Sequence, residues 1–432
     1  MSRNSSVSSP RKPGTLTAKA LESDYTQSQD KYKQRELSIL QLIHSGWNYS
    51  RLDLARSTGL SPASITTIVR NLIARDLVVE SEGVSSVAGR KPIPLLVRGD
   101  CGYLVGVDIG SFYTRIVITD INGKIIHKHQ FETCLHEGRV HVLRRVFQCI
   151  HRELEAAKVA AGAMLGMGIA HSGVIDTENG VVLSFPRPGQ MSEWKNVPLR
   201  EIFAKEFEVP CVLEDSARAG ATAERCFGSG RDVDDFLYIE VGVGIGAAFF
   251  FDGKLYRGAG GKAGEFGHIT VDENGRRCSC GNNGCLESVA SCAAIIEAVK
   301  VAMERGVDSA IRDLVGGSFQ KISIEIIAQA AAENDSFAFR ILQDAASNIA
   351  IGLADLVNLL NPRLIIFDGA LFRAAPQLIS DPLKRVIKQR SLEKSALDAN
   401  LKVSLLGGEA GALGASRMIA GKVLKRLYMR EQ

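Results

Sequence analysis

Gly258-Ala259-Gly260-Gly261-Lys262-Ala263-Gly264-Glu265-Phe266-Gly267-His268, with Cys278-Ser279-Cys280-Gly281-Asn282-Asn283-Gly284-Cys285-Leu286-Glu287 close behind it, is the stretch that decides how this 432-residue chain is read. His268, Cys278, Cys280 and Cys285 form a His-x9-Cys-x-Cys-x4-Cys array. One imidazole and three thiolates supply the tetrahedral, soft-to-borderline ligand set that zinc prefers. Gly281 and Gly284 let the loop turn tightly enough for three thiolates to converge. No position is left for water, so the expected Zn2+ is structural. Cys292 falls on the following helix and is not expected to be a ligand. The other five cysteines are scattered among apolar neighbours and do not suggest a disulfide framework.

On both sides of this stretch, strands alternate with helical patterns. Tyr103 to Val107 reads as a strand, Asp108-Ile109-Gly110 as a turn and Arg115 to Asp120 as a second strand. Asn122-Gly123 marks a hairpin turn into a third strand from Lys124. Val140 to Val159 is helical, and further strands are expected at Leu165 to Ala170, Phe236 to Val241 and Leu364 to Phe367. Such alternation over residues 99–432 predicts a two-lobed α/β domain.

The front of the chain has a different grammar. Residues 1–29 are rich in Ser, Thr and Lys and are expected to be a disordered basic arm. Leu37, Ile39, Leu40 and Ile43 then line one helical face. Ser50 followed by Leu52, Leu54, Ala55 and Gly59 reads as a cap, a short helix and a glycine stop. Ser61-Pro62 caps a second helix, Ala63 to about Arg75, with Ile65, Ile68, Val69, Leu72 and Ile73 as its apolar stripe. A hairpin from Leu77 to Val97 follows. This order is that of a winged helix-turn-helix, placed at 30–98. Ser61, Ala63, Ser64, Thr66, Thr67 and Arg70 are the candidate DNA contacts on the second helix, and Arg90 and Lys91 those in the wing. Up to residue 99 there are 14 Lys/Arg against 8 Asp/Glu, a net of +6, so the rest of this +4 chain carries −2. A basic front on a slightly acidic body suits contact with nucleic acid through the front only.

Three stretches together, Asp108-Ile109-Gly110, Gly258 to His268 and Cys278 to Glu287, resemble the ROK family, which joins sugar kinases and sugar-responsive repressors on the actin/hexokinase-like (ribonuclease H-like) fold. The resemblance spans residues 31–432, and a winged helix ahead of these motifs is similar to the repressor branch. It implies a small lobe at about 99–225 completed by a C-terminal helix at 411–430, and a large lobe at about 226–410 with the zinc loop at 268–285. It also implies sugar contacts at Glu265, His268 and Glu287. The family's Pro-Asn sugar contact is absent here, and Gln190 is the nearest polar residue in register. His268 would give one nitrogen to zinc and the other to a sugar hydroxyl.

The same resemblance exposes what a kinase would need and this chain lacks. The family's general base falls at Ser216 of Glu214-Asp215-Ser216-Ala217-Arg218-Ala219, and a serine hydroxyl does not accept a proton near neutral pH. The phosphate loops read Ser111-Phe112, Gly242-Val243-Gly244 and Asp368-Gly369-Ala370, losing hydroxyls and gaining a carboxylate. Arg187 and Arg218 leave room for an anionic ligand. The expectation is a DNA-binding repressor of sugar transport or catabolism genes with a kinase-dead sensor domain, acting as a homodimer or homotetramer on a double-stranded operator. The alternative is a sugar kinase fused to a DNA-binding domain. The first twenty residues lack an apolar export segment, and the longest apolar run, Val241 to Phe251, is too short to span a bilayer, so the cytoplasm is expected.

Overall fold

In a computed structural model, the structure describes residues 18–44, 49–81, 93–160, 162–185, 193–392 and 400–430. Chain contacts divide into two compact units, Met1–Val97 with Leu427–Gln432, and Arg98–Arg426.

In the first unit α1 spans Ala18–His44 and so begins inside the stretch expected to be a disordered arm. No glycine or proline interrupts the sequence between Gly14 and Gly46, which is why the helix extends. Ser50 caps α2 (Arg51–Thr58) in a reciprocal capping box with Asp53, and Gly59 ends it at φ +70°. Ser61 caps α3 (Pro62–Ala74), whose Ile65, Ile68, Val69 and Leu72 are buried. β1 (Val78–Glu80) pairs antiparallel with β2 (Leu95–Val97). The last turn of the C-terminal helix Ala410–Arg430 belongs to this unit. There the buried Glu36 carboxylate accepts from Tyr428 Oη at 2.8 Å and Asn71 Nδ2 at 3.2 Å. Arg75 lies over the Tyr428 ring and donates to its carbonyl at 2.6 Å.

The second unit contains two five-stranded sheets of the same design. In one, β3 (Tyr103–Ile109), β4 (Tyr113–Asp120) and β5 (Ile125–Glu132) form an antiparallel meander, and β3 continues in parallel to β6 (Met164–His171) and then β9 (Cys211–Asp215). A two-stranded ribbon, β7 (Val174–Asp176) with β8 (Val181–Ser184), branches from it. In the other, β10 (Phe236–Val241), β11 (Ile245–Phe251) and β12 (Lys254–Tyr256) form the meander, and β10 runs parallel to β13 (Leu364–Asp368) and then β14 (Asn400–Val403). The sheets thus repeat one topology, which gives the two lobes.

Helices cover the sheet faces. α4 (Arg139–Ala156) and α5 (Leu199–Phe207) bury Val146, Ile150 and Phe203 against Val105, Val107 and Ile169. On the opposite face the backbones come closer. A Cβ added at Gly168 would lie 1.8 Å from the Ala415 carbonyl oxygen of the C-terminal helix, and one at Gly106 1.9 Å from that of Ala412. The strands carry glycine where the helix sits against them.

Candidate metal centre and sugar cleft

His268 ends a single 3-10 turn, Phe266–His268, and a loop returns from it to Cys285. Bridges Thr270↔Cys285 and Arg277↔Asn283 close the loop into a knuckle. Gly284 is obligatory there: its φ is +64°, and a Cβ would meet the Asp272 carbonyl at 1.5 Å. The ligand atoms of His268, Cys278, Cys280 and Cys285 all lie within 4.8 Å of one another. Cys280 Sγ is 3.6 Å from Cys285 Sγ, and Cys278 Sγ is 3.6 Å from His268 Nδ1. Zinc bonds of about 2.3 Å to sulfur and about 2.0 Å to nitrogen give tetrahedral edges of roughly 3.5–3.8 Å. The residues therefore fit the ion, and among the described residues no other His/Cys/Asp/Glu group is as well placed for a metal. Cys292 Sγ points instead at the Val241 carbonyl, 3.8 Å away.

The other imidazole nitrogen, Nε2, faces Glu265 Oε2 at 4.0 Å, and Glu265 is more than half exposed. Glu287 does a second job: its Oε2 accepts the Ile245 amide at 2.9 Å, joining the zinc knuckle to the start of β11. Gln190, Arg90 and Lys91, together with Arg187, lie outside the described residues.

β9 leads into α6 (Ser216–Phe227), whose first turn meets the Gly258–His268 stretch where Arg218 reaches the Ala263 carbonyl. Asp215 is the N-cap of α6 and accepts from the Arg218 amide at 3.0 Å, so its carboxylate is turned to the helix backbone. Ser216 is buried and its hydroxyl donates to Asp108 Oδ1 at 2.7 Å. Asp368 is buried as well. It accepts from Tyr238 Oη at 2.7 Å and the Gly369 amide at 2.6 Å, and it pairs with Arg373. Its carboxylate is thus held by three donors inside the lobe rather than offered to a phosphate. Phe112 stands exposed.

Arg218 is not available to an anion. It is 4% exposed, its Nε donates to Glu214 Oε1 at 2.8 Å and its Nη1 to the Ala263 carbonyl at 3.2 Å. Glu214 is also held by Arg257 at 2.9 Å. A buried guanidinium needs such a partner, and the sequence placed Glu214 four residues away without revealing that the two meet.

Burial pushes the Asp215 carboxyl up to about 6, with Arg218 opposing the shift. Removal from water pushes Glu240 up to about 8, and the nearby Asp108 and Asp368 add to it. Carboxyls whose folded value is raised stabilise the fold below their unfolded value, and that contribution is lost as the pH climbs through the folded value. Glu240→Gln is expected to raise the thermal midpoint more at pH 8 than at pH 5, because only the parent must charge this carboxyl there. An increment equal at the two pH values contradicts this assignment.

In the first unit, Ser61, Ala63, Ser64, Thr67 and Arg70 are exposed along α3, and Thr66 is half-buried. Thr66 and Thr67 donate their hydroxyls to the Pro62 and Ala63 carbonyls at 2.8 and 3.1 Å. Ser61 Oγ lies 2.9 Å from Ser64 Oγ. The helix thus presents methyls, spare hydroxyl lone pairs and one guanidinium.

Comparison with known proteins places this geometry. The model of the ROK family matches residues 104–422. The chain belongs to the ROK family. It is 33% identical to the xylose repressor of Caldicellulosiruptor bescii over 389 residues, 90% of this chain and 96% of that one. It is 27% identical to the DNA-binding transcriptional dual regulator NagC of Escherichia coli, over 79% of this chain and 82% of that one. Among solved ROK structures, a transcriptional regulator described as a homologue of the E. coli Mlc protein superposes with a TM-score of 0.74, at 28% identity, covering 93% of this chain and 98% of that one. A ROK glucokinase from Streptomyces griseus, solved with glucose and AMPPNP, superposes at 0.63 with 29% identity, covering 99% of that chain but only 73% of this one. The xylose repressor and the Mlc-like regulator thus match nearly end to end, whereas the kinase leaves more than a quarter of this chain unmatched. Among the described residues no helix is long and apolar enough to cross a membrane.

Proposed function

We propose that the chain is a sugar-responsive transcriptional repressor whose first unit binds operator DNA and whose ROK unit senses a sugar without phosphorylating it. The observation that carries this reading is the nearly end-to-end match to a xylose repressor and a ROK transcriptional regulator by a chain whose front folds as three helices and a strand pair. DNA entry by α3 uses Ser61, Ala63, Ser64, Thr66, Thr67 and Arg70, with Arg90 and Lys91 on the wing. Threonine methyls suit thymine methyl groups, and Arg70 suits a guanine edge or a phosphate. A homodimer presenting two α3 helices about one DNA turn apart reads a palindromic site. Such a protein works in the cytoplasm, where the DNA is.

The sugar lies against Glu265, His268 and Glu287, with Gln190 as the polar residue nearest in register to the family's missing contact. Zinc bound by His268, Cys278, Cys280 and Cys285 is structural: it closes the knuckle and fixes the imidazole. His268 then keeps Nε2 for a hydroxyl, as the direction of its Nδ1 toward Cys278 supports. Phosphotransfer is blocked because Ser216 is no base and Asp215 is committed to capping α6. Relatives named xylose repressor and N-acetylglucosamine repressor make D-xylose the first effector to test and N-acetylglucosamine the second.

Operator DNA is retarded by the protein in a gel and released by the effector if this reading holds. Steady ATP-dependent phosphorylation of any of these sugars contradicts it. Arg70→Ala is expected to weaken operator binding about tenfold or more, and to lower the salt slope by about 1 if the contact is to phosphate. Unchanged affinity and slope would remove Arg70 from the interface.

A further inference from the structure

One buried carboxylate holds both ends of the glycine loop that leads to Glu265. Glycine loses more conformational freedom on ordering than any other residue, so a stretch with Gly258, Gly260, Gly261 and Gly264 does not keep a shape alone. Three of these take positive φ, Gly258 at +70°, Gly261 at +69° and Gly264 at +107°. A Cβ at Gly260 or Gly261 would meet nothing within 4 Å, so the tip is unpacked there. At the neck of the loop the Ala263 amide donates to the Arg257 carbonyl at 3.0 Å. Glu214, 3% exposed near the end of β9, fastens both sides of that neck. Its Oε2 accepts from Arg257 Nη2 at 2.9 Å and Nε at 3.2 Å. Its Oε1 accepts from the Asp215 amide at 3.0 Å and from Arg218 Nε at 2.8 Å, and Arg218 Nη1 reaches on to the Ala263 carbonyl at 3.2 Å. β9 belongs to one sheet and Arg257 follows β12 of the other, so the clasp joins the two lobes. Charge-assisted forks of this kind are strong and directional. Glu265 comes directly after the loop, with Oε2 4.0 Å from His268 Nε2. Against the burial that works to discharge it, Asp215, Glu214 and Glu265 together hold the Arg218 guanidinium above its usual range.

Resting on the sugar-sensor reading above, we propose that Glu214, Arg218 and Arg257 are positioning residues for the effector: they fix the Gly258–Gly264 loop so that Glu265 is held beside His268 before the sugar arrives. They act through the loop and not on the sugar. The ordering cost of the loop is then met on folding rather than on binding, which raises affinity without adding a contact.

In full-length, zinc-loaded protein we would compare the parent with Arg257→Ala, Arg257→Lys and Arg218→Lys. Deuterium uptake at residues 258–264 without sugar reads the loop, and calorimetric titration with D-xylose, D-glucose and N-acetylglucosamine reads the site. Arg257→Ala is expected to exchange its loop amides several-fold faster and to bind the sugar about tenfold more weakly, the size of one charge-assisted hydrogen bond. Arg257→Lys keeps the charge and one donor and should recover part of both. Arg218→Lys trades the fork for a single ammonium and should weaken binding likewise. The Arg257 side chain is 45% exposed, so its variants should fold, and they decide the matter should Arg218→Lys fail to fold. Zinc content and the thermal midpoint without sugar check folding in each. Faster exchange with unchanged affinity makes the clasp merely structural and overturns the inference. Parent-like exchange overturns it too, whether binding is unchanged or weakened, since weakened binding would then put Arg257 on the sugar itself. A parent that binds none of the sugars ends the sensor reading, and the positioning role with it, whatever the loop does.

Discussion

Cys285→Ser protein is expected to leave purification with little zinc, and the parent with about one ion per chain. Cys285 is fully buried at the point where the knuckle meets the helix Leu286–Ala290, and its sulfur is 3.6 Å from Cys280 Sγ. A serine oxygen reaches less far and is a poor ligand for zinc, so three ligands remain where four closed the site. Structural zinc contributes about 10–16 kcal/mol in isolated finger peptides, and part of that is expected here because the loop has few apolar contacts of its own. The thermal midpoint should drop by several degrees or more, and a chelator should bring the parent down to the same value. Sugar response should be lost with it, because His268 then has nothing to fix its ring. Cys292→Ser is the contrasting variant: its sulfur faces the Val241 carbonyl, so it should keep one zinc per chain. Full zinc content in Cys285→Ser, or its loss in Cys292→Ser, would mean that the ligand set is wrong.

Gly168→Ala is expected to destabilise the second unit by about 3 kcal/mol or more, an unusually large cost for a single methyl group. The added Cβ would lie 1.8 Å from the Ala415 carbonyl oxygen and 2.2 Å from its carbon. These are backbone atoms of a helix that is itself locked, since a Cβ at Gly414 would meet the Ala219 carbonyl of α6 at 1.7 Å. Relief requires moving the whole helix away from β3 and β6, and helix and sheet are both packed on their other sides. Gly421→Ala, in the same helix, meets nothing within 4 Å. It should be neutral or raise stability by up to about 1 kcal/mol through helix propensity alone. Equal midpoints for the two variants would show that the close approach of helix to sheet is not a feature of the folded protein.

Where the sequence was legible, it was so because local chemistry and spacing carry the information. Ser50, Gly59 and Ser61-Pro62 mark the ends of α2 and α3 by caps that work within a few residues. The cluster of His268, Cys278, Cys280 and Cys285 is readable for a similar reason, since three of them fall within one loop and the fourth ten residues before it. The start of α1 was missed because no cap announces it, and helix-favouring polar residues resemble a disordered arm in composition. Arg218 was offered to an anionic ligand because only the fold shows Glu214 and the Ala263 carbonyl closing around it. Asp368 was expected to confront a phosphate, yet Tyr238, Arg373 and the Gly369 amide hold it inside the lobe. In each case the missing information is a contact between residues on different elements.

The central claim is that a sugar controls the grip of this protein on specific DNA. The most direct test is to incubate the purified, zinc-loaded protein with fragmented genomic DNA of its own organism, with and without D-xylose, D-glucose or N-acetylglucosamine, and to sequence what it retains. The account predicts enrichment of a few palindromic sites beside sugar transport or catabolism genes, and loss of that enrichment with one of the sugars. Retention no different from random fragments under every condition would contradict it.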